Sequence, residues 1–172
     1  MSDTEPSRLQ LLQPDIQIIK RADDWCASQV IKQSCEAVES MVLPIKSHSK
    51  PCKFSVHLTS SGEVQALNAD YRQQDKPTNV LSFEAEDSIE NKLLPYITLG
   101  DIIISKDVLS IEAEEQNIQE AYHLAHLVTH GLLHLYGFDH INEDEAEIME
   151  ATEIAILASM NIPNPYMKDS LN

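Results

Sequence analysis

Three histidines in the C-terminal third of this 172-residue chain have the spacing of a metal site. His130 and His134 are four residues apart, so on an α-helix they lie on one face, with neighbouring imidazoles about 6 Å apart. Gly137 permits a sharp turn that could bring His140 back over the end of this helix. The pattern predicts that the three side chains bind one metal ion.

Three neutral imidazoles leave a fourth coordination position open, which is typical of catalytic rather than structural zinc. A zinc ion in such a site acts as a Lewis acid on a carbonyl or phosphoryl oxygen, or lowers the pKa of water to about 7. Ni²⁺ or Cu²⁺ would also fit three imidazoles, but we expect one Zn²⁺ per chain. Histidines that merely stack on an amphipathic helix are the alternative, and we expect packing or ligand-orienting roles for His123 and His126.

The string H-x-x-x-H-x-x-G-x-x-H at 130–140 overlaps the metzincin protease pattern, in which a glutamate follows the first histidine and acts as general base. Here that position is Gly131, which cannot take a proton. A hydrolase acting on a substrate other than peptides is therefore favoured, and a metalloprotease-like hydrolase with another base is the alternative.

Hydrophobic periodicity predicts the elements that must position these residues. We expect a single α+β domain, or α/β under another strand order, spanning 1–172, with flexible segments at 1–13 and 163–172. A roughly four-stranded mixed sheet and about five helices are predicted, with the metal site at a helix C-terminal end. The strands fall at 15–19, 54–58, 80–83 and 97–104, and the helices at about 23–42, 60–72, 107–115, 119–136 and 143–160.

Composition limits the function classes. The net charge of −16 opposes nucleic-acid binding through clustered cations. Much of the acid lies in Glu112–Glu120 and Glu143–Glu153, where it is typical of solvated helix faces and helix N-termini. Three cysteines without C-x-x-C spacing indicate reduced thiols. With no apolar leader or membrane span in the sequence, we expect a cytoplasmic protein.

A second polar cluster could bind phosphate. Arg72 ends a predicted helix, and Lys76 lies in the polar loop that follows it. The planar fork of an arginine and the point charge of a lysine could hold a phosphodiester between them. Alternatively, Arg72 pairs with a nearby carboxylate, and residues 75–77 form an ordinary turn.

Three blocks of sequence closely resemble the YbeY family of bacterial ribosome-maturation factors. They are L-N-x-x-Y-R-x-x-D-K-P-T-N-V-L-S-F at 67–83, L-G-D-I-I-I-S at 99–105 and H-G-L-L-H-L-Y-G-F-D-H at 130–140. The blocks occur in the family's order, and the run from Asp144 to Ile154 is similar to its closing helix.

The resemblance implies a zinc-dependent, single-strand-specific endoribonuclease. Its expected role is maturation of small-subunit (16S) rRNA and ribosome quality control, with the small subunit and its associated proteins as partners. It implies zinc on His130, His134 and His140, and Arg72 as the catalytic cation. Asp139 and Asp101 could orient the ligands. The alternatives are a non-catalytic zinc-containing assembly factor and the metalloprotease-like hydrolase.

Overall fold

The structure, a computed structural model, describes residues 15–20, 25–46 and 48–167. Its four strands are β1 (Asp15–Lys20), β2 (Cys52–Thr59), β3 (Val80–Glu84) and β4 (Ile97–Ser105). Within the described residues there are six helices: α1 (Trp25–Val42), α2 (Ser61–Arg72), α3 (Ile89–Leu93), α4 (Lys106–Glu115), α5 (Glu120–Leu135) and α6 (Glu143–Ser159). No helix in these ranges is both long and apolar enough to cross a membrane.

The strands form one mixed sheet in the order β1-β2-β4-β3. β1, β2 and β4 run parallel, and β3 pairs antiparallel with β4 at the edge. The predicted α+β class and four-stranded mixed sheet are confirmed. The sixth helix, α3, was not predicted because five residues are too short to show a helical period. The predicted start of the first helix at 23 and the arm at 1–13 lie outside the described residues.

Helix α5 is the central helix of the domain. It packs against β3, β4, α1, α4 and α6, and ten of its sixteen residues are buried. Its half-exposed side chains recur every fourth residue, at Tyr122, His126, His130 and His134. A helix buried on its other faces therefore presents one polar stripe, which carries two of the predicted ligands.

Gly131 allows α5 to lie close to the sheet. A Cβ atom at this position would come within 2.8 Å of Ile102 Cγ2 and 3.1 Å of Ser82 Oγ. Ile102 is fully buried in β4, so it has little room to move. The glycine is thus required by helix–sheet packing, and a side chain here would point at the sheet.

We expect Gly131→Ala to destabilise the protein by about 1–3 kcal/mol, because the added methyl group overpacks the contact between helix and sheet. Gly62→Ala is the matched control, since nothing lies within 4 Å of a Cβ there, and alanine favours a helix by up to about 1 kcal/mol over glycine. Urea unfolding of both variants measures the difference. Equal stability of the two variants would contradict the packing role.

Candidate metal centre

The structure brings the three predicted ligands together. His130, His134 and His140 each offer a ring nitrogen, and these nitrogens all lie within 4.8 Å of one another. The Nε2 atoms of His130 and His134 are 3.1 Å apart. Two nitrogens bound at 2.0–2.1 Å to a tetrahedral ion would be about 3.3 Å apart, so the pair already has nearly the required spacing. The cluster could therefore hold a metal ion.

The turn that returns His140 to the helix is a Schellman motif. Gly137 has a φ of +80°, a left-handed conformation that glycine adopts without steric cost. Its N–H donates to the His134 carbonyl at 2.8 Å, and the Phe138 N–H donates to the Leu133 carbonyl at 3.0 Å. These are the two hydrogen bonds that define the motif. The glycine predicted to stop the helix therefore also places the third predicted ligand.

Lys46 stabilises this turn from the segment that follows α1. Its ammonium group donates to the Tyr136 carbonyl at 2.8 Å and lies 4.4 Å from the centroid of the Phe138 ring. A cation at a helix C-terminus is favoured by the helix dipole, and a cation over an aromatic face is attracted by its quadrupole. Lys46 thus links the end of α1 to the loop that carries His140.

The protonation state of His134 suits a ligand. Its Nδ1 lies 3.1 Å from the Phe138 carbonyl, which can only accept, so Nδ1 carries the proton and Nε2 has a free lone pair. Burial lowers the pKa of His134, and the neighbouring His130 and His140 lower it further. The neutral form that binds metals is therefore favoured.

His130 is oriented by a buried carboxylate. Its Nδ1 lies 2.6 Å from Oε1 of Glu153 on α6, and Glu153 is 0% exposed. Burial raises the pKa of Glu153, but hydrogen bonds from His126, His130 and Tyr166 outweigh it, and the pKa falls to about 2. A charged carboxylate that receives Nδ1–H fixes the ring with Nε2 facing the cluster, an arrangement common behind metal-binding histidines.

Two further side chains hold this carboxylate. His126 Nε2 lies 3.1 Å from Glu153 Oε2, and the Tyr166 hydroxyl donates to the same oxygen. Burial raises the pKa of Tyr166, and so does its hydrogen bond to Glu153, so the hydroxyl keeps its proton. The expectation that His126 orients a ligand rather than binds the ion agrees with this geometry.

The description of the acidic runs as solvated faces was wrong at two positions. Glu153 is fully buried. Glu112 has a half-buried side chain that bonds to His123 Nε2 at 2.7 Å and accepts from Asn79. A signal for Glu153 was present in the sequence, because it lies four residues after Met149 and three before Ile156, on the buried face of α6.

Neither of the two aspartates predicted to orient ligands forms a hydrogen bond with an imidazole of the cluster, although the charge of Asp139 acts on His134 and opposes the lowering of its pKa by burial. Asp101 lies on β4 next to Ile102, whose side chain faces α5, and alternation along the strand therefore places Asp101 on the opposite face of the sheet. There it bonds to Ser55 and lies 3.8 Å from His57. That prediction was wrong for Asp101. Asp139 instead accepts the backbone N–H of His140 at 2.8 Å.

Arg72 is connected to the ligand helix through β3. It is the last residue of α2, and its Nη2 donates to the Ser82 carbonyl at 3.4 Å. The Ser82 hydroxyl donates in turn to the carbonyl of Gly131, the residue after His130, at 3.2 Å. Within the described residues no carboxylate forms an ion pair with Arg72, so its exposed guanidinium can receive an anion.

The loop after Arg72 is ordered by a buried amide. Asn68 on α2 is 2% exposed, and its Nδ2 donates to the Lys76 carbonyl at 2.8 Å. Gln65 also donates to the Asp75 carboxylate at 2.8 Å. Asn68 therefore binds the backbone of Lys76. Lys76 itself is exposed to solvent on this loop.

Comparison with known proteins identifies the family. The family model "Endoribonuclease YbeY" matches residues 17–161. A protein named Endoribonuclease YbeY from Allorhizobium ampelinum is 39% identical over 160 residues, covering 88% of this chain and 94% of its own length. One of the same name from Alteromonas mediterranea is 51% identical over 119 residues, covering 68% and 72%.

The fold has a counterpart among solved structures. The solution structure of a protein from Thermotoga maritima matches with a TM-score of 0.56 at 22% identity, covering 92% of this chain and 100% of that one. At this identity the likeness concerns the fold alone. The family model, whose match at residues 17–161 includes the histidine cluster, and the relative that covers 88% of this chain carry the assignment: the chain belongs to the YbeY endoribonuclease family.

Proposed function

We propose that this protein is a zinc-dependent endoribonuclease that cleaves single-stranded RNA. We propose that it acts in the cytoplasm, in maturation of 16S rRNA and in ribosome quality control. Its partners would be the small subunit and its associated proteins. The observation that carries the proposal is the cluster of His130, His134 and His140, connected through Ser82 to Arg72, whose guanidinium forms no ion pair with a carboxylate of the described residues. We also propose that residues 1–172 form a single domain.

The donor set fits zinc. All three ligands are imidazole nitrogens, and the Nδ1 atoms of His130 and His134 have oxygen partners that leave their Nε2 lone pairs directed at the cluster. Such outer partners raise the basicity of the ligands and fix their orientation. When bound, zinc supplies Lewis-acid polarisation of a phosphoryl oxygen.

The remaining chemistry belongs to side chains of this chain. Arg72 presents a planar set of donors to a phosphodiester held near the cluster, and its charge stabilises the negative charge that gathers on the phosphoryl oxygens during the displacement. Lys76, on the loop that follows, would add a second cation. Glu153 and the Phe138 carbonyl keep the imidazoles in place while this charge develops.

The test is cleavage of a fluorescently labelled single-stranded RNA by protein loaded with zinc. We expect Arg72→Ala to lower the cleavage rate roughly a hundredfold, as expected for loss of one donor to developing charge. Lys92→Ala is the matched control, because Lys92 is an exposed cation that pairs with Asp87 at 3.0 Å and should leave the rate unchanged. Equal rates for Arg72→Ala and wild type would contradict the assigned role.

Chelation separates this proposal from the other two classes. A ribonuclease loses activity with its metal and regains it when zinc is restored. If chelation lowered the melting temperature but the loaded protein cleaved no RNA, the metal would serve only to hold the fold. Cleavage of a denatured protein offered as substrate would indicate a peptidase. The structure argues against a metzincin-type base, because Gly131 faces Ile102 and leaves no room there for a glutamate.

A further inference from the structure

An aromatic pair lies beside Arg72 and is not used by the metal site. Tyr71 is 70% exposed, and its ring packs edge-on against Phe83 of β3, with centroids 5.1 Å apart at an interplanar angle of 61°. The edge contact holds the Tyr71 ring in place while most of its surface remains open to solvent. A fixed, exposed aromatic ring is the element on which nucleobases stack.

The pair brackets the contact that joins Arg72 to the metal centre. Tyr71 precedes Arg72 on α2, and Phe83 follows Ser82, whose carbonyl accepts from Arg72. The Ser82 hydroxyl reaches the Gly131 carbonyl beside His130. An RNA strand whose phosphate is held by Arg72 would therefore have a neighbouring base within reach of the Tyr71 ring.

The charge of the chain favours a contact of this kind. At a net charge of −16, the protein as a whole repels a polyanion, and two cations near the loop replace only a few counterions. Base stacking does not depend on net charge and tolerates any base sequence, because every base has a π-face. A single-stranded RNA also has unpaired bases available to stack, whereas a duplex does not.

We infer that Tyr71, supported by Phe83, stacks on an unpaired base of the RNA substrate, next to the phosphate that Arg72 binds. The inference rests on the proposed function in taking RNA as the substrate. Stacking on Tyr71 would make the protein prefer single-stranded RNA. It would also supply binding affinity that the acidic surface cannot.

The experiment measures, by fluorescence anisotropy, binding of a labelled single-stranded RNA decamer with a nuclease-resistant backbone (2′-O-methyl phosphorothioate) to the full-length, zinc-loaded protein. We expect Tyr71→Ala to weaken binding roughly 5- to 100-fold, as stacked aromatics generally do when truncated. Tyr71→Phe keeps the ring and should retain wild-type affinity. Tyr96→Ala is the aromatic control, since Tyr96 contacts Lys53 near the start of β4 and should leave affinity unchanged.

Two further measurements distinguish stacking from a structural effect. The first uses a series of decamers that each lack one base. The loss of affinity caused by Tyr71→Ala should be smaller for the decamer that lacks the base that stacks. The slope of log K against log salt should stay the same in Tyr71→Ala, whereas Arg72→Ala should make it shallower by about 0.7.

The outcomes separate this inference from the proposed function. If the metal-loaded protein cleaves RNA but Tyr71→Ala binds the decamer as wild type does, the stacking subsite is wrong and the ribonuclease stands. If binding depends on Tyr71 and no cleavage occurs, the subsite stands and the ribonuclease fails. Failure of the wild type to bind the decamer would also overturn the subsite.

Discussion

Replacing Glu153 by leucine should lower the zinc affinity of the histidine cluster about 10- to 100-fold and the free energy of unfolding by about 3–5 kcal/mol. The carboxylate is fully buried and accepts from His130, His126 and Tyr166. Leucine leaves these three partly exposed groups without their buried acceptor, and each hydrogen bond that water does not replace costs about 1–3 kcal/mol. It also releases the His130 ring from the orientation that a metal ion needs.

Competition with a chromophoric chelator measures the affinity, and urea unfolding of the metal-free protein measures the stability. Glu153→Gln keeps the shape of the side chain and one acceptor oxygen, so smaller losses of both quantities are expected. Glu147→Gln, an exposed position on the same helix, is the matched control and should change neither. If Glu153→Leu lost stability but bound zinc as tightly as wild type, the carboxylate would have only a packing role.

Glu39 should make the stability of the protein fall as the pH rises from about 4.5 to about 8. It lies on α1 and is 9% exposed, and its Oε1 has no hydrogen-bond partner among the described residues. Burial raises its pKa to about 8, and the charge of Glu36 adds to the shift. The groups around it, Cys35, Cys52 and Tyr136, cannot compensate a negative charge, and burial raises the pKa of each of them as well.

The sign follows from the protons bound in each state. Below pH 4.5 the carboxyl group is protonated in both the folded and the unfolded state, so it does not change the stability with pH. Between 4.5 and 8 the unfolded chain releases the proton while the folded protein retains it, so stability falls with increasing pH. Above 8 both states are ionised, and the loss is constant at roughly 3–5 kcal/mol, because each unit of pKa shift corresponds to about 1.4 kcal/mol.

Glu39→Gln removes this titration, so the variant should be more stable than wild type at pH 9 and nearly equal to it at pH 4.5. Urea unfolding across this range measures the difference. Glu36→Gln, one turn earlier and exposed to solvent, removes only the smaller cause of the pKa shift, so it should reduce the slope slightly and leave most of it in place. A difference between Glu39→Gln and wild type that does not vary with pH would show that the buried carboxyl is ionised throughout.

Much of the candidate metal centre is determined by local sequence. The helical period places His130 and His134 on one face, and Gly137 allows the turn that carries His140. All of this lies within eleven residues, so chain geometry alone limits where the three rings can go. The strands and the longer helices are also determined largely by local sequence, since their predicted bounds differ from the observed ones by only a few residues.

Tertiary structure decided which distant groups complete the centre. Glu153 was assigned to a solvated face, and only the packing of α6 against α5 shows that it lies behind His130. Asp101 was assigned to the site, but the pairing of β4 between β2 and β3 directs it to the other face of the sheet. The contacts from Arg72 through Ser82 to Gly131 likewise join three separate elements. Periodicity specifies which face of an element is apolar, but the partner of that face is determined by long-range packing, which no local pattern records.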